Sequence, residues 1–243
     1  MSKAEEIITA TIEGGAKLLV ASKIPVLGPT IVSIWDALNN KQIERKIKRL
    51  EEFVSGLNEK SELISTKLNE EYVRKDDVLD ICEQVIGCVT CERSEIKREK
   101  FRHIFINSII SKDCNYDKTE KYLKLIDRMG ELEVQILMVF QNPKRANKAS
   151  ERPISNPNEH YSGSTVWGPY YCVDILGQIL SQRHDDIVDS LHFLEMERLI
   201  IDNAAARNLK TNGHPIHTLD NMLTNKGKEF IHFISEPIVE NVL

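Results

Sequence analysis

Apolar residues recur at steps of three and four from about Ile31 to Leu68, and this period predicts one long amphipathic helix. The stripe consists of Ile43, Ile47, Leu50, Val54, Leu57, Ile64 and Leu68, with Ser61 in the same series. Such a stripe can form the seam of a coiled coil between two copies of the chain, which predicts a homodimer through residues 36–68. Phe53 and Leu63 widen the apolar face, and this favours packing within the chain's own helices.

The helical period continues in shorter segments up to residue 129. Asp76 and Asp77 are typical of a helix start and precede a run of apolar positions. Ser94 is the expected N-cap of a helix in SEIKREKFRHIFINSII, and DKTEKYLKLIDRM (117–129) predicts another. Because no clear strand pattern occurs here, we expect a helical-bundle domain over residues 1–129.

The pattern changes after Gly130. ELEVQILMVFQNP predicts a helix that ends at Asn142 and Pro143. A long basic loop insertion (141–169) is expected next, because prolines at 153, 157 and 169 interrupt any periodicity.

The remaining segments follow the order of a winged-helix domain. Two helices are predicted in CVDILGQIL (172–180) and HDDIVDSLHFLEMERLII (184–201), and a last one in LTNKGKEFIHFI. With wing strands near 199–202 and 217–223, residues 130–243 would form a winged-helix-like α+β domain. The predicted fold class is therefore mainly α, with an N-terminal helical bundle that includes the long amphipathic helix, followed by this domain.

The order of segments resembles the bacterial abortive-infection alpha family. The resemblance is carried by IPVLGPTIVSIWDALNNKQIERKIKRLEEF, SEIKREKFRHIFINSII, ELEVQIL, SLHFLEMERLI and LTNKGKEFIHFI. This chain departs from the family pattern at Arg198, where such proteins carry a glycine at the end of a helix. The resemblance implies a role in antiphage defence, and it implies no catalytic residues.

Composition restricts where contacts with a partner can form. The net charge of −5 gives no global attraction to nucleic acid, so any such contact needs a local basic patch. Five cysteines and the absence of a leader pattern predict a cytoplasmic protein with free thiols. The apolar, uncharged run 24–35 is too short to span a bilayer. Burial in the core is expected for it, and the alternative is a membrane-dipping hairpin within residues 4–38 that acts on activation.

The predicted loop holds the first candidate contact site. Lys144, Arg145, Lys148 and Arg152 precede several aromatic residues, among them Trp167. Basic side chains near aromatics can bind an acidic protein face, a nucleotide or a single strand. The alternative is a mobile insertion without a partner.

A DNA-reading role depends on the helix that would enter the major groove. That helix begins with Asp185 and Asp186, whose charges would repel phosphates. A basic wing would be needed to compensate for this repulsion, and its candidate residues are Arg207, Lys210, Lys226 and Lys228.

The sequence contains no complete set of metal ligands or catalytic residues. Cys88 and Cys91 form a CxxC motif with Cys82 nearby, but the sequence offers no further ligands to complete a zinc site. His214 and His217 also lack a third ligand, which is typical of an ordinary loop. The sequence contains no phosphate-binding glycine loop and no hydrolase elbow. We therefore expect no metal, no cofactor and no enzyme activity.

The predicted function is a non-catalytic defence or regulatory protein of the abortive-infection type that acts through protein contacts. The first alternative is a winged-helix DNA-binding transcriptional regulator. The second is a membrane-perturbing effector that uses residues 4–38.

Overall fold

A computed structural model describes residues 33–34, 37, 44–69, 76–111, 114–154, 170–209 and 214–237. Contacts divide the chain into two compact units: Met1–Arg128 with Phe233–Leu243, and Met129–His232. The predicted domains, 1–129 and 130–243, stay a prediction, because a packing unit need not fold on its own.

The predicted membrane-dipping hairpin within residues 4–38 lies outside the described residues, apart from 33–34 and 37. In the parts of the chain that the structure describes, no helix has both the length and the apolar character needed to cross a membrane.

The first unit is built from helices packed side against side. In chain order they are α1 (Glu44–Glu59), α2 (Ser61–Lys67), α3 (Asp76–Cys91), α4 (Glu95–Ile110) and α5 (Tyr116–Arg128). The prediction of a continuous helix up to Leu68 was wrong, because the chain turns at Lys60, with φ −103° and ψ 10°. This turn redirects the chain so that Leu63 and Ile64 are both buried in α2.

The apolar stripe of α1 packs inside the first unit. Ile47, Leu50, Val54 and Leu57 are at most 7% exposed, and α1 contacts α3 and α4. The amphipathic character of this segment is confirmed. These side chains are already covered, so dimerisation through residues 36–68 would need other contacts and stays a prediction.

Helix α4 forms the centre of the first unit and buries cationic side chains as well as apolar ones. Lys97 is stabilised by the Glu92 carboxylate at 2.7 Å and by the carbonyl of Asp127 at 3.2 Å. Burial lowers the pKa of Lys100, and burial together with the charge of Lys100 lowers the pKa of His103. The cations of α4 therefore contribute to the core of the unit.

The C-terminal segment also packs against α4. The Nδ1 atom of His103 donates to the carbonyl of Ile234 at 3.1 Å. Asn107 donates from Nδ2 to the carbonyls of Phe233 at 2.7 Å and Ser235 at 3.0 Å. The ring of Phe233 lies 4.9 Å from that of Tyr122. These contacts explain why residues from Phe233 onward belong to the first unit.

The second unit is also mainly helical. Its elements are α6 (Glu131–Gln141), α7 (Pro143–Ala149), β1 (Tyr170–Tyr171), α8 (Cys172–Leu180), α9 (His184–Met196), β2 (Asn208–Leu209), a 3₁₀ helix (Pro215–Leu219) and the start of α10 (Asn225–Ile234). The strands pair antiparallel, Tyr170 with Leu209 and Tyr171 with Asn208.

The predicted winged-helix-like α+β domain was wrong. Where wing strands were expected, the described residues form a 3₁₀ helix and a single antiparallel bridge between Ile200 and Leu223. The backbone explains the difference, because Arg198, Asn203 and Asn221 adopt φ of 56°, 58° and 57° and turn the chain out of an extended path. Extended pairing therefore ends after one bridge.

The threonine and glycine of LTNKG have a packing role at the start of α10. Thr224 donates from Oγ1 to the carbonyl of Arg198 at 2.7 Å and accepts from the Gly227 amide at 3.0 Å. A Cβ on Gly227 would lie 2.0 Å from the carbonyl oxygen of Leu199. The pair thus fixes α10 closely over the end of α9.

Candidate partner-binding surface

The first part of the predicted loop is helical. Asn142 caps α7 by accepting from the Arg145 amide at 3.0 Å, and Pro143 occupies the first turn, where its fixed φ suits a helix. The expectation of an irregular loop from residue 141 was therefore wrong for Pro143–Ala149. Trp167 lies in 155–169, outside the described residues.

Four exposed cations lie on and just after α7, and we refer to them as the basic cluster. Its members are Lys144, Arg145, Lys148 and Arg152. None of them forms an ion pair with any residue in the described ranges, although Glu151 is exposed between two of them. Among the described residues, no carboxylate therefore neutralises their charge.

Hydrogen bonds from neighbouring polar residues hold this segment in place. Asn147 donates to the carbonyl of Ile154 at 3.0 Å and accepts from its amide at 2.8 Å. Ser150 donates to the carbonyl of Ile179 at 3.0 Å. A short helix fixed in this way presents its cations with less conformational freedom than a free loop would.

A groove of about 460 Å³ is lined in part by Pro143, the first residue of α7. Its floor is apolar and consists of the buried side chains Phe140, Met222 and Ile231. Polar residues surround the floor, and these are Gln141, Asp220, Asn221, Lys228 and His232. The groove thus joins residues that lie about 80 positions apart in the sequence, which periodicity cannot detect.

The predicted wing cations separate into two groups. Arg207 donates to the sulfur of Met222 at 3.2 Å, and Lys226 donates to the carbonyl of Glu197. Both therefore serve the packing of the second unit. Lys228 is exposed at the rim of the groove, whereas Lys210 lies outside the described residues.

The two histidines that were expected in an ordinary loop, His214 and His217, have hydrogen-bond partners close in sequence. His214 accepts from the Ile216 amide at 3.1 Å and begins the 3₁₀ helix. His217 lies 2.6 Å from the carboxylate of Asp220, which reaches the groove rim. The carboxylate of Asp220 therefore has a hydrogen-bond partner within the 3₁₀ helix.

The first turn of α9 remains acidic in the structure. Arg183 binds the carboxylate of Asp186 through two hydrogen bonds of 2.8 Å each. This pairing raises the pKa of Arg183 and lowers the pKa of Asp186. The neighbouring Asp185 side chain is 98% exposed. This turn therefore presents a carboxylate to an approaching phosphate.

A larger groove of about 740 Å³ lies in the first unit, between α1 and α4. Its three arginines have partners within the unit: Arg98 pairs with Glu52 at 3.1 Å, Arg49 donates to the carbonyl of Thr90 at 2.9 Å, and Arg102 donates to the carbonyl of Glu52 at 3.5 Å. Acidic residues also outnumber the arginines in its lining. The second unit therefore offers the better surface for an acidic partner.

The cysteines are free, and three have strongly perturbed thiols. Burial raises the pKa of Cys82 and Cys172 to about 12 and that of Cys88 to about 11. These thiols are protonated at neutral pH, which makes them poor nucleophiles. Among the described residues, no group of three or more His, Cys, Asp or Glu side chains could hold a metal ion.

Comparison with known proteins gives no match: no model of a protein family fits the chain, and neither a curated protein nor a solved structure is significantly similar to it. The resemblance to the abortive-infection alpha family stays a prediction.

Proposed function

We propose that this chain is a non-catalytic protein of the abortive-infection type that acts by binding an acidic surface of a protein partner through the basic cluster. The observation that carries the proposal is the set of four exposed cations without an ion-pair partner among the described residues. The defence role rests on the family resemblance alone. A cytoplasmic location is part of the proposal, and the free cysteines are compatible with a reducing compartment.

An acidic protein face suits this surface better than duplex DNA. The chain carries a net charge of −5, and Asp185 is exposed in the same unit, so an extended polyanion would meet repulsion beyond the cluster. A protein face presents a few carboxylates at fixed positions, and the planar guanidinium of Arg145 can bind a carboxylate through two hydrogen bonds.

Fluorescence anisotropy with the full chain tests the proposal. The probes are a labelled glutamate-rich peptide, a labelled single-stranded DNA and a labelled duplex, each titrated from low to physiological salt. We expect the peptide to bind with a salt-dependent affinity that drops by about tenfold or more in Lys144→Glu/Arg145→Glu/Lys148→Glu. The control variant is Lys121→Glu/Lys124→Glu, which reverses two exposed cations on α5.

Each outcome has a defined meaning. Binding of DNA without binding of the peptide would replace the protein partner with nucleic acid. An equal loss of affinity in the control variant would show a net-charge effect and overturn the role of the cluster. For the defence role, bacteria that express the chain are challenged with a panel of phages. Protection that is unchanged by the triple substitution would contradict the link between the cluster and defence.

A further inference from the structure

The groove lined by Pro143, which precedes the basic cluster in sequence, has an apolar floor. Phe140, Met222 and Ile231 form the floor, and each is at most 4% exposed. Lys228 and His232 lie at the rim, and the carboxylate of Asp220 is engaged by His217. Such a groove can hold one apolar side chain of a ligand, and the ammonium group of Lys228 at its rim can attract a negative charge.

Leu223 lines the groove and lies in an extended segment that forms an antiparallel bridge with Ile200. In its bridge with Ile200, the hydrogen bonds run from the Ile201 amide to Met222 O at 2.9 Å and from the Thr224 amide to Leu199 O at 3.0 Å. This antiparallel pattern directs the amide and carbonyl of Leu223 away from Ile200. Neither group forms a hydrogen bond with any residue that the structure describes.

We propose that this groove binds an extended acidic peptide segment of a protein partner, which pairs with the backbone of Leu223 as an added strand. The inference rests on the proposed function and names the form that the acidic partner takes. Main-chain hydrogen bonds to the amide and carbonyl of Leu223 align the peptide along this segment, as in other cases of strand addition. One apolar side chain of the segment occupies the floor.

Charge complementarity identifies the occupant. Lys228 and Pro143 both line the groove, and α7 continues from Pro143 with Lys144 and Arg145. An extended peptide that leaves the groove at Pro143 therefore meets the basic cluster. Alternate residues of a strand point to opposite faces, so one face can hold the apolar anchor while the other presents carboxylates to the cations.

The experiment uses the full chain and three labelled nonapeptides. The first alternates glutamate with leucine, the second has the same side chains with alternate backbone amides N-methylated, and the third replaces glutamate with lysine. We expect the first to bind, and the other two to bind at least about tenfold more weakly. Addition of the first peptide should also slow hydrogen exchange of the Leu223 amide, measured by NMR.

Variants separate the groove from the basic cluster. Lys228→Glu should weaken the first peptide by about tenfold, whereas the matched reversal Lys121→Glu on α5 should leave its affinity within about twofold. Unchanged affinity on N-methylation, or unchanged exchange at Leu223, overturns the strand-addition inference. If the triple substitution in the cluster still weakens the peptide in that case, the proposed function stands without the groove. If the triple substitution has no effect on any acidic peptide, the proposed function itself is wrong.

Discussion

Two lysine-bearing stretches of the second unit, Leu223–Lys228 and helix α7, show how differently the same residue type can be used. Lys226 donates to the carbonyl of Glu197, and its side chain is 34% exposed. Lys144 and Lys148 are exposed and have no ion-pair partner among the described residues. Lys226 in the first stretch therefore contributes to the fold, whereas the two lysines of α7 are not paired with an opposite charge among the described residues. Whether a lysine supports the fold depends on the backbone and carboxylate oxygens near its ammonium group, and the local sequence does not reveal these.

Substitution of Gly227 should give the largest effect on the fold-supporting stretch. In Gly227→Ala the new Cβ would lie 2.0 Å from the carbonyl oxygen of Leu199, so α10 must move away from the end of α9. Because the contact is with backbone, no side-chain rotation relieves it. We expect the free energy of unfolding to fall by roughly 2–3 kcal/mol in urea denaturation followed by circular dichroism.

Gly87→Ala is the matched control for this prediction. Gly87 lies within α3, and no heavy atom comes within 4 Å of a Cβ built there. Alanine is the better helix former, so this variant should gain about 0.5–1 kcal/mol. Equal stability of the two variants would contradict the close approach of α10 to Leu199.

The hydroxyl of Thr224 should have the next largest effect. Thr224→Val keeps the shape of the side chain but removes its hydrogen bonds to Arg198 O, at 2.7 Å, and to the Gly227 amide, at 3.0 Å. We expect a loss of about 1–2 kcal/mol, measured by the same denaturation. In the control Thr66→Val, the hydroxyl bonds only carbonyls of its own helix, and the change should stay within about 0.5 kcal/mol. A neutral Thr224→Val would show that water replaces both bonds.

Most helices of this fold were predictable because their signals are local. The helix start at Asp76 and the N-cap at Ser94, whose hydroxyl accepts from the Lys97 amide at 3.3 Å, are confirmed. The segment 172–180 is confirmed as helix α8. Capping and periodicity involve residues at most a few positions apart, so one sequence suffices to find them.

The errors arose where tertiary contacts decide the conformation. Lys60 ends α1 although the apolar period continues beyond it, since Leu63 and Ile64 must both face the core. The winged-helix prediction relied on a threonine and a glycine before the last helix. Thr224 and Gly227 instead anchor that helix against Arg198 and Leu199, a contact across more than 25 positions. The threonine and glycine that are typical of a winged helix therefore serve a packing contact between α10 and the end of α9 in this chain.

The candidate site was predictable only in part. Their spacing identified Lys144, Arg145 and Lys148, because three cations within five positions form a local basic segment in a chain of net charge −5. It could not separate Lys228, at the groove rim, from Lys226, two positions earlier and bonded to Glu197 O. That distinction depends on which side of α10 packs against the end of α9.

The comparison of the two lysine-bearing stretches can be tested directly with a pair of matched substitutions. Lys226→Met removes the hydrogen bond to the carbonyl of Glu197 and the carboxylate contact at 4.0 Å, while the alkyl chain keeps much of its packing. Since the side chain is partly exposed, we expect a loss of only about 0.5–1 kcal/mol in the free energy of unfolding. Lys144→Met should leave this free energy unchanged and weaken binding of the glutamate-rich peptide. The reverse result, a stability loss for Lys144→Met and a binding loss for Lys226→Met, would exchange the roles assigned to the two stretches. In that case, neither the exposure of a lysine side chain nor its hydrogen bonds would predict whether Lys226 or Lys144 stabilises the fold.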